Sequence, residues 1–104
     1  MTRQIGVERA AEQDLYEATL YLRERSPQRA RRFVQAARDT FVFLAEQPQI
    51  GRRYLSSHPR LQDLHVWHVR GFDRYLIFYR FSEDTLFIER ILYGTRDIER
   101  MLES

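Results

Sequence analysis

Apolar residues gather into three short runs in the last third of the chain, whereas upstream they recur at the spacing of helices. The runs lie between residues 64 and 93, are rich in β-branched and aromatic residues, and are separated by polar breaks at residues 70–74 and 82–84. Because connections this short join antiparallel neighbours, the pattern predicts an antiparallel sheet of three strands. A further short strand is predicted at residues 3–7.

Two amphipathic helices are predicted between the first strand and the last three. In residues 8–25 the apolar side chains recur at i, i+4, i+7 and i+11 on one face: Ala11, Leu15, Ala18 and Leu22. The second helix runs from residue 27 to about residue 47, because Ser26 can cap its first turn and Pro48 ends it. So short a connection predicts an antiparallel helical hairpin.

The remaining segments complete a single domain over residues 1–104. Residues 49–63 contain glycine, serine and proline without a clean period, and we expect a loop there. After Gly94, Thr95 can cap a short terminal helix over residues 96–102. The predicted fold class is α+β: an N-terminal strand, a two-helix hairpin packed on the antiparallel sheet, and a short C-terminal helix.

Both faces of the predicted sheet are partly apolar. Alternation along the last strand places one set of side chains on each face: Leu86, Ile88 and Leu92 on one, and Phe87, Ile91 and Tyr93 on the other. One hairpin covers one face, so we expect the other to be solvated, self-associated or covered by another chain. Extra apolar surface on a small domain indicates a partner.

Composition narrows the chemistry that the domain can perform. Of its 104 residues, 43% are apolar and 13% are aromatic, which favours a compact domain over disorder. The absence of cysteine excludes disulfides and thiolate chemistry and fits a reducing compartment. We expect a cytoplasmic protein, because neither a signal peptide nor an apolar run of ~20 residues is found. All 17 basic residues are arginine, so no lysine can act as a base or nucleophile.

Several short motifs are spread over almost the whole chain. They are Ala11-x-x-Asp14-Leu15, Ala30-x-x-Phe33, Leu44-Ala45-x-x-Pro48-x-x-Gly51, Val69-Arg70-Gly71-Phe72, Tyr75-Leu76-Ile77-Phe78-Tyr79-Arg80 and Ile88-x-Arg90-Ile91-Leu92-Tyr93-Gly94-x-Arg96-Asp97. In order and spacing the motifs resemble the RelE/ParE superfamily of toxins from bacterial type II toxin–antitoxin modules. The long hairpin and the Gly-x-Arg-Asp corner look like the ParE-like branch, although Tyr93 stands where that branch often has histidine.

The ParE-like resemblance implies a toxin that inhibits DNA gyrase by binding it and is neutralised by a cognate antitoxin. It implies no catalytic residue, metal or cofactor, no membrane, and contact with DNA only indirectly through the antitoxin complex. We expect C-terminal residues to contact the target: Arg96, Asp97, Ile98, Met101 and Leu102. Deleting everything after Gly94 is expected to abolish toxicity and leave the core folded. The residues expected to contact the antitoxin are Phe33, Phe41, Arg29 and Arg32.

A RelE-like relative would instead cut mRNA on the ribosome, which requires a base, a cationic clamp and an acid around one phosphate. The candidates are Arg70, Arg80 and Arg90 as clamps, Tyr93 as the acid, and His65 or His68 as the base. Each also has a structural explanation, since strand arginines commonly pair with carboxylates and strand tyrosines commonly pack. A relative that has lost toxicity and only binds its antitoxin is a third alternative.

One face of the second helix is basic, because it carries Arg29, Arg31, Arg32 and Arg38. Such a face can neutralise nucleic-acid phosphate. No DNA-reading motif accompanies it, so we expect this face to receive an acidic antitoxin segment that is disordered until it binds.

Overall fold

A computed structural model describes residues 2–94 and 97–103, and its elements follow the predicted order. They are β1 (Gln4–Val7), α1 (Arg9–Arg25), α2 (Pro27–Glu46), β2 (Arg52–Arg53), β3 (His65–Val69), β4 (Phe72–Phe81), β5 (Thr85–Tyr93) and α3 (Ile98–Glu103). The predicted α+β class is confirmed, and both long helices end within one residue of the predicted positions. The predicted cap at Thr95 lies outside the described residues.

The strands form one mixed sheet in the order β1-β5-β4-β3-β2. β3, β4 and β5 are antiparallel neighbours, as predicted, and β1 pairs with β5 in parallel. The prediction of a loop throughout residues 49–63 is wrong in part, because Pro48–Ile50 and Pro59–Leu61 form short 3-10 turns and Arg52 and Arg53 pair with Val66 and His65. Two charged residues carry no apolar signal, so this short edge strand is invisible in the sequence pattern.

The helical hairpin covers one face of the sheet. Ser26 Oγ accepts a hydrogen bond from the Arg29 backbone N–H at 3.1 Å, which is the predicted cap of α2. The apolar stripe of α2 packs on the sheet with Phe33 fully buried and its ring 4.8 Å from that of Tyr75. Thr40 Oγ1 accepts a hydrogen bond from the Arg70 backbone N–H at 3.1 Å, which ties the β3–β4 turn to α2.

The chain itself covers the second apolar face of the sheet. Leu61 and Leu64, from the segment before β3, and Leu102 of α3 pack there against Val66, Phe78 and Leu92. The expectation that this face is left to solvent or to another chain is therefore wrong. The short terminal helix is part of a hydrophobic core.

A bulge in β5 changes which side chains point to each face. Phe78 pairs with Arg90 whereas Tyr79 pairs with Ile88, so Glu89 is the extra residue. Beyond the bulge Ile91 joins Ile88 in the helix-side core, and Leu92 lies in the opposite cluster. The predicted grouping of Ile88 with Leu92 is wrong, because simple alternation assumes an unbroken strand.

Candidate functional site

Asp14 of α1 and Arg90 of β5 form a two-point ion pair at the bulge. Asp14 Oδ2 accepts hydrogen bonds from Arg90 Nε at 2.7 Å and from the Ile91 backbone N–H at 2.9 Å. Its Oδ1 accepts a third from Arg90 Nη2 at 3.0 Å. The side chains of Asp14 and Arg90 are only 9% and 19% exposed. The hydrogen bond to Asp14 raises the pKa of Arg90, outweighing the opposing effect of burial.

The same guanidinium group anchors the terminal helix. Arg90 Nη1 donates a hydrogen bond to the Met101 carbonyl at 2.8 Å. Ser56 donates to the Glu99 carboxylate, and His58 Nε2 lies 3.7 Å from Glu103 Oε1. α3 is therefore held between the end of β5 and the segment that precedes β3.

A cleft of about 420 Å³ opens between α1, the end of β5 and α3. Three of its lining residues are tyrosines: Tyr21, Tyr75 and Tyr93. The Tyr75 and Tyr93 rings meet edge to face at 5.2 Å, and burial raises the pKa of Tyr75. The Arg25 guanidinium lies 3.8 Å from the centre of the Tyr21 ring, and that of Arg74 lies 5.3 Å from the Tyr93 ring. The cleft thus has aromatic walls and two acidic lining residues, Asp14 and Glu17, and two arginines lie over the rings of its tyrosines.

The residues predicted to contact a target divide into two groups. Asp97 and Met101 are exposed, and Met101 lines the cleft. Leu102 is only 7% exposed and Ile98 packs against the same cluster, so these two side chains hold α3 in place. The prediction is corrected for Leu102, which is buried against the sheet. Arg96 lies outside the described residues.

The residues predicted to contact an antitoxin also divide. Phe33 and Phe41 are 0% and 6% exposed, which places both rings in the core. Other residues must therefore supply any apolar contact with an antitoxin, because the apolar stripe of α2 is buried against the sheet. Arg29 and Arg32 are exposed and line a cleft between α2 and the β3–β4 turn.

The residues expected for a nuclease do not share one cleft. Arg70 lines the cleft beside α2, and Tyr93 lines the cleft beside α3. Arg80 and Arg90 line a third, where Arg80 donates to the Arg60 carbonyl and Arg90 is paired with Asp14. His68 stacks on Trp67 with its Nε2 3.8 Å from Asp73 Oδ1. The ring of His65 packs 5.0 Å from that of Phe81, and His65 and Arg80 line a further cleft that contains neither Arg70, Arg90 nor Tyr93.

Sequence reasoning expected the strand arginines to pair with Glu89 or with a helix carboxylate, but it did not identify Asp14 as the partner of Arg90. Asp14 was recognised only as part of a motif, and its partner Arg90 lies 76 residues away along the chain. Glu89 lines the third cleft beside Arg80 and Arg90, and burial raises the pKa of this carboxyl, with Arg80 opposing the shift. The bulge that positions Glu89 leaves no signal in the sequence.

Neither a metal centre nor a membrane span is found within residues 2–94 and 97–103. No three histidine, aspartate or glutamate side chains in that part of the chain are close enough to hold one metal ion. None of the described helices has the length and apolar character that crossing a membrane requires.

Comparison with known proteins identifies the family. The family model described as "ParE toxin of type II toxin-antitoxin system, parDE" matches residues 5–98. The chain belongs to the ParE toxin family. The resemblance inferred from the motifs is thereby confirmed, and within the superfamily the ParE-like branch is supported. No curated protein sequence matches the chain significantly.

The ParE fold is also seen in a solved structure. A chain described as "Chromosomal ParDE TA system from P. aeruginosa" superposes with a TM-score of 0.69 at 18% sequence identity. The match covers 90% of this chain and 98% of that chain. Because the sequence identity is low, this similarity establishes the fold alone. The fold agrees with the match of the ParE family model.

Proposed function

We propose that this chain is the toxin of a type II toxin–antitoxin module, that it inhibits DNA gyrase by binding, and that a cognate antitoxin neutralises it. The observation that carries the proposal is the match of the ParE family model to residues 5–98. The toxin would act in the cytoplasm, where gyrase and its DNA are found. It would need neither a cofactor nor a catalytic residue.

The anchoring of α3 supports a role for this helix in target binding. Arg90 fixes the Met101 carbonyl, and Leu102 fills the second core, so the outer surface of α3 is presented in one orientation. A preordered helix loses less conformational entropy on binding than a flexible tail does. Asp97 and Met101 would contact the target from this surface, and Arg96 remains part of the same proposal.

The contacts of the arginines favour binding over RNA cleavage. Arg90 already donates to Asp14 and to the Met101 carbonyl, so using it as a phosphate clamp would require both contacts to break. Tyr93 and Arg70 line clefts on different elements. A nuclease would need these groups to converge on one phosphate.

Neutralisation would follow if the antitoxin covered α3 and the cleft beside it. The exposed apolar groups there are Tyr21, Tyr93 and Met101, which are 50%, 45% and 38% exposed. Arg29 and Arg32 would receive acidic residues of the same antitoxin segment. A disordered segment could reach both places by folding as it binds.

A gyrase supercoiling assay run beside translation of a reporter mRNA tests the proposal. We expect inhibited supercoiling and intact mRNA with the purified chain. Cut mRNA with normal supercoiling would establish the nuclease alternative instead. If neither changes, the proposed target is wrong.

The variant Met101→Glu tests the placement of the target contact on α3. A carboxylate in place of an apolar contact should raise the concentration needed for half-inhibition of gyrase by about tenfold or more. Val42→Glu is the matched control, because Val42 is 48% exposed and lies on α2, which covers the opposite face of the sheet from α3. Equal inhibition by both variants would remove α3 from the gyrase contact.

A further inference from the structure

Six arginines line two clefts on either side of α2. Three arginines line the cleft between α1 and α2, and we call them the α1-side row: Arg23, Arg31 and Arg38. Three more line the cleft between α2 and the β3–β4 turn, and we call them the turn-side row: Arg29, Arg32 and Arg70. Gln35 lines both clefts, so it marks the crest of the helix between the two rows.

The charges of both rows are exposed and have no anionic partner, although the Arg29 guanidinium lies 4.9 Å from the centre of the Phe72 ring. All six side chains are exposed. In the part of the chain that the structure describes, none of the six guanidinium groups forms an ion pair or donates a hydrogen bond. Some arginines elsewhere are engaged: Arg90 binds Asp14, whereas Arg3 and Arg53 donate to backbone carbonyls.

The dipole of α2 does not explain this placement. The first turn of the helix has no acidic residue, and Arg29 occupies it instead. A cation near the positive end of the helix dipole is unfavourable. Asp39 lines the turn-side cleft and accepts a hydrogen bond from Gln35 at 2.9 Å, which leaves three cations against one carboxylate. The surface is therefore complementary to an external polyanion.

The arrangement of the rows distinguishes between kinds of polyanion. An acidic peptide segment that lay in one of these clefts would contact only one of the two rows. An α-helix with its side chains is about 10–12 Å across, and the major groove of B-form DNA is about 12 Å wide with a phosphate backbone along each side. We propose that α2 enters this groove and that the two arginine rows, which also include Arg23 of α1 and Arg70 of the β3–β4 turn, bind the two phosphate backbones of duplex DNA, independently of sequence.

Duplex DNA is favoured over duplex RNA by the same geometry. The major groove of A-form RNA is deep and narrow, so a helix cannot lie in it. This direct contact goes beyond the proposed inhibition of gyrase and does not depend on it. It differs from the expectation that DNA is met only through an antitoxin complex.

Binding of the full chain to a labelled DNA duplex of about two helical turns, followed by fluorescence anisotropy, tests the proposal. Affinity is measured between about 50 and 200 mM salt, where each phosphate contact contributes about 0.9 to the slope of log K against log salt. Six contacts predict a slope of about −5. Removing the α1-side row with Arg23→Gln, Arg31→Gln and Arg38→Gln should reduce its magnitude by about 3 and weaken binding most at the low-salt end of the range.

Two matched triple variants complete the experiment. Arg9→Gln, Arg52→Gln and Arg100→Gln remove the same charge from exposed positions on other elements, and should weaken binding by less than about threefold. Arg23→Lys, Arg31→Lys and Arg38→Lys keep the charges and should retain the slope, because lysine also binds phosphate as a point charge. Circular dichroism verifies that every variant is folded.

Four results would overturn the proposal. They are unchanged DNA binding without the α1-side row, an equal loss in the control triple, equally tight binding of duplex RNA, and displacement of the duplex by oligoglutamate as effective as by unlabelled DNA. Equally tight binding of duplex RNA would show that the width of the DNA groove does not select the partner. Effective displacement by oligoglutamate would assign the surface to an acidic peptide. Because gyrase is absent from this experiment, its failure leaves the proposed gyrase inhibition untouched.

Discussion

Tyr79 joins the central strand of the sheet to the segment that follows α2. Its side chain is fully buried, and its hydroxyl donates to the Pro48 carbonyl at 2.7 Å and accepts from the Gly51 backbone N–H at 3.1 Å. A Cβ atom at Gly51 would collide with this hydroxyl, which explains why position 51 is glycine. Burial raises the pKa of Tyr79 to about 12, with the Gly51 hydrogen bond opposing the shift.

The variant Tyr79→Phe should lower the free energy of unfolding by about 1–3 kcal/mol at neutral pH, because the buried Gly51 N–H loses its acceptor. In the wild-type protein the unfolded state loses the Tyr79 proton near pH 10 and the folded state near pH 12, so stability falls as pH rises through this range. The variant lacks this titration, and the stability gap should close above pH 10. Urea unfolding at several pH values measures both effects.

Tyr16→Phe is the control for this series, because the Tyr16 side chain is 59% exposed. It should follow the wild-type stability at every pH within about 0.5 kcal/mol. A stability gap between Tyr79→Phe and wild type that stays constant from neutral pH to pH 12 would contradict the assigned titration.

Individual residues were predictable where a local rule applied. Ser26 caps α2 as expected, since capping depends only on neighbouring residues. Phe33 and Phe41 were assigned to a surface although they lie in the core, because an apolar stripe does not reveal whether the chain or a partner covers it. The pairing of Asp14 with Arg90 depends on the fold and could not be deduced from spacing.

At the scale of elements, the Asp14–Arg90 pair connects α1, β5 and α3. Asp14→Asn removes the charge that compensates Arg90, which is only 19% exposed, and should lower the free energy of unfolding by about 2–3 kcal/mol. It should also loosen α3, because the guanidinium that holds the Met101 carbonyl loses its own anchor. Urea unfolding measures the first effect, and amide hydrogen exchange in α3 measures the second.

Glu24→Gln makes the same chemical change at an exposed position of α1 and should alter stability by less than about 0.5 kcal/mol. If exchange in α3 were as slow in Asp14→Asn as in this control, the ion pair would have no part in holding the helix.

The long elements were predictable because each has one dominant apolar period. The pattern of α2 and the aromatic content of β4 and β5 are strong, and these elements are found where they were predicted. β2 is two arginines and its pairing is set by β3, so nothing local marks it. The bulge at Glu89 places the Leu92 side chain on the opposite face of the sheet from the predicted one. Alternation of apolar and polar residues does not reveal where a strand contains a bulge.

At the scale of the whole molecule, the sheet has two cores and the chain closes both. The helical hairpin covers one face, and residues from the segment before β3 cover the other together with Leu102 of α3. The same terminal helix is proposed to contact the target. Stability and the proposed function therefore both depend on α3. The sequence analysis expected this helix to be dispensable for folding.

Truncation after Gly94 tests this coupling. The deletion was expected to leave the core folded, but it removes Leu102, whose burial completes the second core with Leu61, Phe78 and Leu92. Loss of one buried leucine costs about 2–5 kcal/mol, against a total stability of roughly 5–15 kcal/mol for a domain. Truncation after Glu103 removes only Ser104, keeps the contact between Glu103 and His58, and is the control. Chemical denaturation should show a large loss in the first variant and little in the second, whereas equal stability would mean that α3 contributes nothing to the fold and serves binding alone.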